Sequence, residues 1–254
     1  MSISIDLSQL TTFLLLACRV AGVTAVAPLL GSQRVPMRVK AALALAISAV
    51  LTPSAGPARE CDSIVEMALA AVGEVALGAA IGFAAKLLFA AVQMAGEMAD
   101  MQSAFGFAGV VSPQTGERVS VIGQLQMSVA WLIFLGADGH HVVLHGLCSS
   151  LTAAPLGSGA GLCAPALTHA TAGLLATAVR IAAPIVAAVM LADFGLGLLT
   201  RAAPQMNLLA IGFPIKLAVG LGATLVALPL LIGAERALLS MTEGIIRGVL
   251  LAAG

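Results

Sequence analysis

The residues of this chain that could do chemistry are few, and their spacing leaves most of them without partners. His141 and His145 are spaced i, i+4, which puts both on one face of a helix. Metal sites use that spacing, but no carboxylate or cysteine completes the set in sequence, so packed or interfacial histidines are the favoured reading. Glu97 and Asp100 stand at i, i+3 like a carboxylate pair, yet they border a polar stretch where solvation accounts for them. Cys18 and Cys148 fall in apolar segments and read as small core residues. Cys61 and Cys163 fall in loops, where an oxidising compartment could join them, free thiols being the alternative. There is no nucleophile elbow, P-loop or GxGxxG pattern. The expectation is a protein without catalytic, cofactor or metal residues.

The stretch from Gln93 to Gln126 is more informative, because it is polar and glycine-dotted in a sequence that is otherwise almost hydrocarbon. Its centre holds Phe105, Gly106, Phe107, Ala108, Gly109, Val110, Val111, Ser112, Pro113, Gln114, Thr115 and Gly116. Three glycines and a proline disfavour a spanning helix there. Phe105, Phe107, Val110 and Val111 also need something apolar to touch, so a plain solvated linker fits poorly. A flexible yet adhesive loop between membrane helices suggests a movable seal, spanning about 102–120. Met94, Met98, Met101 and Met127 lie near it. Methionine can pack around objects of varied shape, although ordinary membrane packing explains these residues equally well.

The elements that must position this loop are membrane helices. Hydrophobic residues make up 60% of the chain and charged residues 9%, with a mean hydropathy of +1.06. Soluble domains run at about 45–50% apolar and about 25% charged. No Asp, Glu, Lys or Arg occurs between Asp138 and Arg180. Strict alternation, which a β-barrel requires, is absent. The expected fold is all-α and polytopic, one membrane domain over residues 1–254. Twelve basic residues balance twelve acidic ones, so nothing points to nucleic acid.

Apolar segments lie near 10–31, 40–57, 68–96, 121–156, 169–199 and 208–234, followed by an amphipathic tail over 235–254. The fourth is long enough for a hairpin, with Asp138-Gly-His-His141 as a plausible turn; six spans is the simple count and seven the alternative. The start carries Asp6 and no Lys or Arg before Arg19, unlike the positive n-region of a signal peptide, so the first segment is expected to stay as an anchor. Arg34, Arg38 and Lys40 favour a cytoplasmic first loop and an outside N-terminus. Six spans then place loop 97–120 inside and loop 157–168 outside, on the same side as Cys61.

Most segments make poor lipid spans. Arg19, Glu74, Lys86, Arg180, Asp193 and Lys216 lie in or beside apolar runs. Each would cost about 2.5–3.5 kcal/mol at a bilayer centre. Pro28, Pro184, Pro214 and Pro229 are expected to interrupt helices, which is tolerated only against protein or a water-filled cavity. Gly78-xxx-Gly82 and Gly244-xxx-Gly248 offer close-approach faces. Val35-Pro-Met-Arg38 and Phe213-Pro-Ile-Lys216 form a faint internal repeat, each expected to open a long apolar helix. Many helices must therefore face other subunits or a wet interior.

Taken in order, these residues resemble the FliR family of flagellar biosynthesis proteins, the export-gate group shared with virulence type III secretion as SctT or SpaR. The matching pieces are Arg19-Val-Ala-Gly, Ala27-Pro-Leu-Leu-Gly31, Val35-Pro-Met-Arg38-Val, Gly82-Phe, Ala90-Ala-Val-Gln-Met-Ala-Gly-Glu97 and Gln102-Ser-Ala-Phe-Gly-Phe-Ala108. They continue through Pro113-Gln-Thr-Gly116, Gly123-Gln124, Asp138-Gly-His140, Leu191-Ala-Asp193, Arg201-Ala-Ala-Pro-Gln-Met-Asn207 and Gly212-Phe-Pro-Ile-Lys216. No single piece is specific; their order and spacing are. Ser112 stands where the family often has Asp, which removes a loop charge.

The resemblance implies a FliP-like part joined to a FliQ-like part, with helical hairpins assembled around an export channel. It implies FliP, FliQ, FlhB and FlhA as partners, unfolded flagellar proteins as cargo, and the bacterial inner membrane and flagellar basal body as the location. Loop residues Phe105–Val111, Pro113, Gln114 and Gly116 are then the channel plug. Arg19, Glu74, Lys86, Arg180, Asp193, Arg201 and Lys216 are buried interface charges. Two other readings stay open: a virulence-system gate subunit, and a self-sufficient secondary transporter.

Overall fold

The computed structural model describes residues 7–28, 31, 35–59, 63–103, 120–157, 164–203 and 208–253. Among these residues there are seven α-helices and no strand: α1 (Leu7–Val26), α2 (Met37–Leu51), α3 (Ile64–Gln102), α4 (Val121–Gly136), α5 (Gly139–Ala153), α6 (Ala164–Ala202) and α7 (Leu208–Ala253). Five helices are long and apolar enough to cross a membrane, and a sixth crossing arises if the broken pair α4–α5 makes one. The chain is thus an all-α, polytopic membrane protein.

Local chemistry sets the helix ends. Pro36 precedes the first turn of α2, where its missing N–H costs nothing. Ser63 caps α3 by accepting the Glu66 N–H at 3.1 Å, and the Ser-x-x-Glu spacing of a capping box is readable in sequence. Ser120 caps α4 by accepting the Gly123 N–H at 2.8 Å. The expected turn after α4 is a break at Asp138, whose left-handed φ of 55° ends one helix and starts the next. Asp tolerates that conformation better than most residues.

Three expectations change. Pro28 does lie just beyond α1, but Pro184, Pro214 and Pro229 sit inside continuous helices. A proline removes one backbone hydrogen bond and bends a helix; in a long apolar segment the remaining ladder still outweighs a full break. The internal repeat fails for the same reason: Pro36 opens α2, whereas Pro214 falls within the second turn of α7. The tail is no separate element either, since α7 continues without interruption to Ala253.

Contacts group the chain into two compact units, neither of them a continuous stretch. The first gathers residues 1–87, 138–171 and 239–254; the second gathers 88–137 and 172–238. The core of the first is built by α1, α3 and α5, with Leu16, Val20, Ile81, Ala84 and Leu147 almost fully buried and Ile246 of α7 closing it. Glycine makes this packing possible. A side chain added at Gly22 would strike the Val75 carbonyl, and one at Gly78 would strike the Arg19 carbonyl. At Gly82 a Cβ would come within 2.8 Å of the Val23 carbonyl oxygen and 3.0 Å of the Ala27 nitrogen. The Gly78-xxx-Gly82 face is therefore the surface on which α1 and α3 meet backbone to backbone. Among the described residues nothing lies within 4 Å of a side chain added at Gly244, so it makes no such contact within this chain.

The second unit is held by Ala99, Ile122, Ile185 and Ala227, and by an aromatic cluster. Phe89 stacks on Trp131 with centroids 4.0 Å apart, and Phe134 meets Phe89 edge-on at 5.2 Å. Such pairs add about 0.5–1.5 kcal/mol beyond the area they bury. They fix α4 against the second half of α3.

Candidate functional site

The polar loop lies outside the described residues from 104 to 119, but both of its feet are described. On the α3 side, Ser103 is buried, its N–H bonds the Ala99 carbonyl at 3.0 Å, and its hydroxyl donates to the Asp100 carbonyl at 3.2 Å. Ser103 also packs on Gly220 of α7, where a Cβ would come within 3.0 Å of the serine Cβ. On the α4 side, Ser120 caps the helix as described, and its backbone carbonyl accepts the Gln124 N–H at 3.1 Å. Between the feet, Asp100 accepts the backbone N–H of Ile122 through Oδ1 at 3.1 Å.

Asp100 is buried to 7% exposure, contrary to the expectation that solvation explains the Glu97–Asp100 pair. Only Glu97 behaves as expected: it is exposed and accepts from Gln93 Nε2 at 3.0 Å. The difference follows from helix phase. The turn that turns Glu97 outward turns Asp100 towards α4, where an orphan N–H of the first helical turn waits for an acceptor. Beneath it, Gly96 and Gly123 touch so closely that a Cβ on Gly96 would overlap the Gly123 Cα. The ends of α3 and α4 are thus joined by backbone contact and by one charged hydrogen bond.

A second constellation lies in the first unit. Arg19 is fully buried; its Nε donates to Glu74 Oε2 at 2.5 Å, Nη1 donates to the Ser150 carbonyl and hydroxyl at 2.9 and 3.0 Å, and Nη2 donates to the Ala154 carbonyl at 2.8 Å. Glu74 Oε1 accepts the Gly157 N–H at 2.9 Å. Gly157 is needed there because its φ is +81°, in the left-handed region. One ion pair therefore ties α1, α3, α5 and the turn after α5. Nothing in the sequence marked Ser150 or Gly157 as its partners, since they lie 131 and 83 residues away in the chain.

The other charges of the apolar runs are placed differently. Lys216 Nζ lies 2.7 Å from Asp193 Oδ1, with the side chains 29% and 39% exposed. Lys86, Arg180 and Arg201 are exposed on this chain and make no ion pair among the described residues. Arg180 is the only Asp, Glu, Lys or Arg between Asp138 and Asp193, on a face of α6 that also shows Leu175, Val179, Met190, Leu191 and Phe194.

The histidines do not converge as a pair. His145 Nδ1 lies 3.3 Å from Ser149 Oγ, while His141 Nδ1 lies 3.4 Å from Asp138 Oδ1. The left-handed turn at Asp138 brings its carboxylate to His140 and His141, with ligand atoms within 4.8 Å of one another on an exposed surface. Sequence spacing had offered no carboxylate there. Cys18 and Cys148 are free thiols. Cys61 and Cys163, like loop residues Phe105, Gly106, Phe107, Ala108, Gly109, Val110, Val111, Pro113, Gln114 and Gly116, lie outside the described residues.

Comparison with known proteins accounts for nearly the whole chain. The chain is 31% identical to the flagellar biosynthetic protein FliR of Bacillus subtilis (strain 168) over 249 residues, 95% of each chain. It is 33% identical to the flagellar biosynthetic protein FliR of Escherichia coli (strain K12) over 231 residues, 89% of this chain and 87% of the relative. It is 30% identical to the Yop proteins translocation protein T of Yersinia pestis over 228 residues, 84% of this chain and 85% of the relative. Residues 10–241 match the family described as bacterial export proteins, family 1. With that match spanning all but the chain ends, and with the order of motifs, the membrane helices and the buried loop feet in agreement, the chain belongs to the bacterial export proteins, family 1.

Proposed function

We propose that this chain is a non-enzymatic core subunit of the flagellar type III protein export gate, helping to form and seal the channel through which unfolded flagellar subunits cross the inner membrane. The observation that carries this reading is the end-to-end similarity to a flagellar relative, at 31% identity over 95% of both chains. FliP and FliQ are its partners in the channel, with FlhB and FlhA beside it, in the flagellar basal body. Loop residues 105–116 act as the plug. Their glycines permit rearrangement, while Phe105, Phe107, Val110 and Val111 pack the closed state. Asp193, Lys216, Lys86, Arg180 and Arg201 serve at interfaces with partners, where a charge favours specific assembly over raw stability.

Co-expression with candidate FliP and FliQ, gentle solubilisation and weighing of the intact complex tests the assignment. A defined hetero-oligomer with one copy of this chain is the expected result. A lone monomer beside well-expressed partners would favour a self-sufficient transporter. Deleting 106–112 tests the plug: the complex should form and leak small solutes, and an unchanged permeability removes the plug assignment. The similarity to a Yop translocation protein keeps a virulence-type gate as the second reading. Loss of motility on gene deletion supports the flagellar role, and loss of effector secretion with motility intact supports the other.

A further inference from the structure

We propose that Asp100 is a positioning residue for the channel seal: its carboxylate clamps the start of α4 to the end of α3 and so sets the distance between the two feet of the loop. The inference rests on the reading of the loop as a plug, but its evidence lies in the helices. Three features of the loop feet support it. The Asp100 carboxylate is withdrawn from solvent and receives the Ile122 N–H at 3.1 Å. Bonds to a charged acceptor are stronger than neutral ones, and a first-turn N–H is a favourable donor for an anion. The helices beneath are in backbone contact at Gly96 and Gly123, so the carboxylate bridges a gap that is already closed on one side. Finally, the adjoining Ser103 and Ser120 are each committed to their own helix ends, by the Asp100 carbonyl and the Gly123 N–H, and among the described residues neither hydroxyl makes a second bond that joins the feet.

The function of such a clamp follows from its place. A loop that opens and closes needs fixed ends, otherwise its packing residues lose their register with whatever they seal. One hydrogen bond between α3 and α4 holds that register without stiffening the loop. Truncating the Asp100 side chain to a methyl group removes the acceptor and frees the start of α4 to shift about Gly123. The sealed state is then populated less, although helices joined by the Phe89–Trp131–Phe134 cluster still pack.

The experiment uses the intact complex, co-expressed with its partners and reconstituted into proteoliposomes, and reads the decay of a potassium gradient. Asp100→Ala should leak roughly tenfold faster than the unaltered complex, the ratio that about 1.4 kcal/mol between closed and open states would give. Asp100→Asn keeps an oxygen that can accept the Ile122 N–H and should stay within about twofold of the unaltered rate. A merely structural role would lower recovery of the complex and leave the leak per complex unchanged. If Asp100→Ala yields no complex, Asp100→Ser, whose hydroxyl is one bond too short to reach, takes its place. A tight Asp100→Ala complex overturns the proposal, as does equal leakage from the Ala and Asn variants. Leakage from the 106–112 deletion with a tight Asp100→Ala leaves the plug standing and removes the clamp. The reverse pattern removes the plug, and with it the role of Asp100 in positioning a seal.

Discussion

Two ion pairs inside apolar helices arise from one kind of sequence signal and end in different roles. Arg19 and Glu74 are 0% and 4% exposed, and besides their mutual contact they are satisfied by four hydrogen bonds, to the Ser150 carbonyl and hydroxyl, the Ala154 carbonyl and the Gly157 N–H. Lys216 and Asp193 are 29% and 39% exposed and share a single contact of 2.7 Å. In the first pair nearly every donor is used within the chain. In the second, much of each charged group is left open. A charge in a membrane helix is therefore not one signal. What separates a fold-internal charge from one facing a partner is whether the surroundings complete its hydrogen bonds.

The comparison can be broken most sharply at Glu74. Glu74→Ala leaves a buried guanidinium without its counter-charge and should cost about 3–5 kcal/mol, read as a lower melting temperature and yield of the purified chain in detergent. Replacing both partners, as Arg19→Met with Glu74→Met, should recover much of that loss, because a matched apolar pair leaves no stranded charge. A double variant as unstable as the single one would show that the ion pair is not what the site depends on. Gly78→Val comes next: its side chain would meet the Arg19 carbonyl and push α1 from α3, at about 1–3 kcal/mol. The same melting assay reads it, with Gly244→Val as the control that should change little.

Ser120→Ala removes the cap of α4 and should cost about 1 kcal/mol, seen as faster amide exchange in the first turn of that helix. Asp193→Ala should have the smallest effect on the chain itself, because the pair is partly open and shares a single contact. Its effect should appear instead in the assembly, as reduced recovery of the complex. Exchanging the charges, Asp193→Lys with Lys216→Asp, sharpens the point: full recovery of the complex would mean that the pair acts within the chain alone.

Much of the fold was legible. The expected six apolar segments meet five helices long enough to cross a membrane and a sixth if the broken pair makes one, and the break near Asp138 and the close face at Gly78-xxx-Gly82 follow from local composition and spacing. The errors have two causes. Asp100 is buried and bonded and Gly244 meets nothing among the described residues, because each outcome depends on what a neighbouring helix presents at that height, while Pro184, Pro214 and Pro229 sit in helices whose remaining ladder outweighs a break. The candidate site was legible as a loop with two boundaries. The clamp that joins those boundaries was not, since a lone carboxylate before a polar stretch looks solvated in sequence.

By itself the sequence determined that this protein lives in a membrane, that its structure is helical, and roughly where its apolar helices lie. These depend on hydrophobicity, backbone propensity and capping, which act over a few residues. Only the tertiary structure decided which charges are closed off and which are offered. Arg19 meets Glu74 at a separation of 55 residues and Ser150 at 131, and Asp100 meets Ile122 across 22. Desolvation and hydrogen-bond completion are properties of a place in space, and the chain order does not carry them.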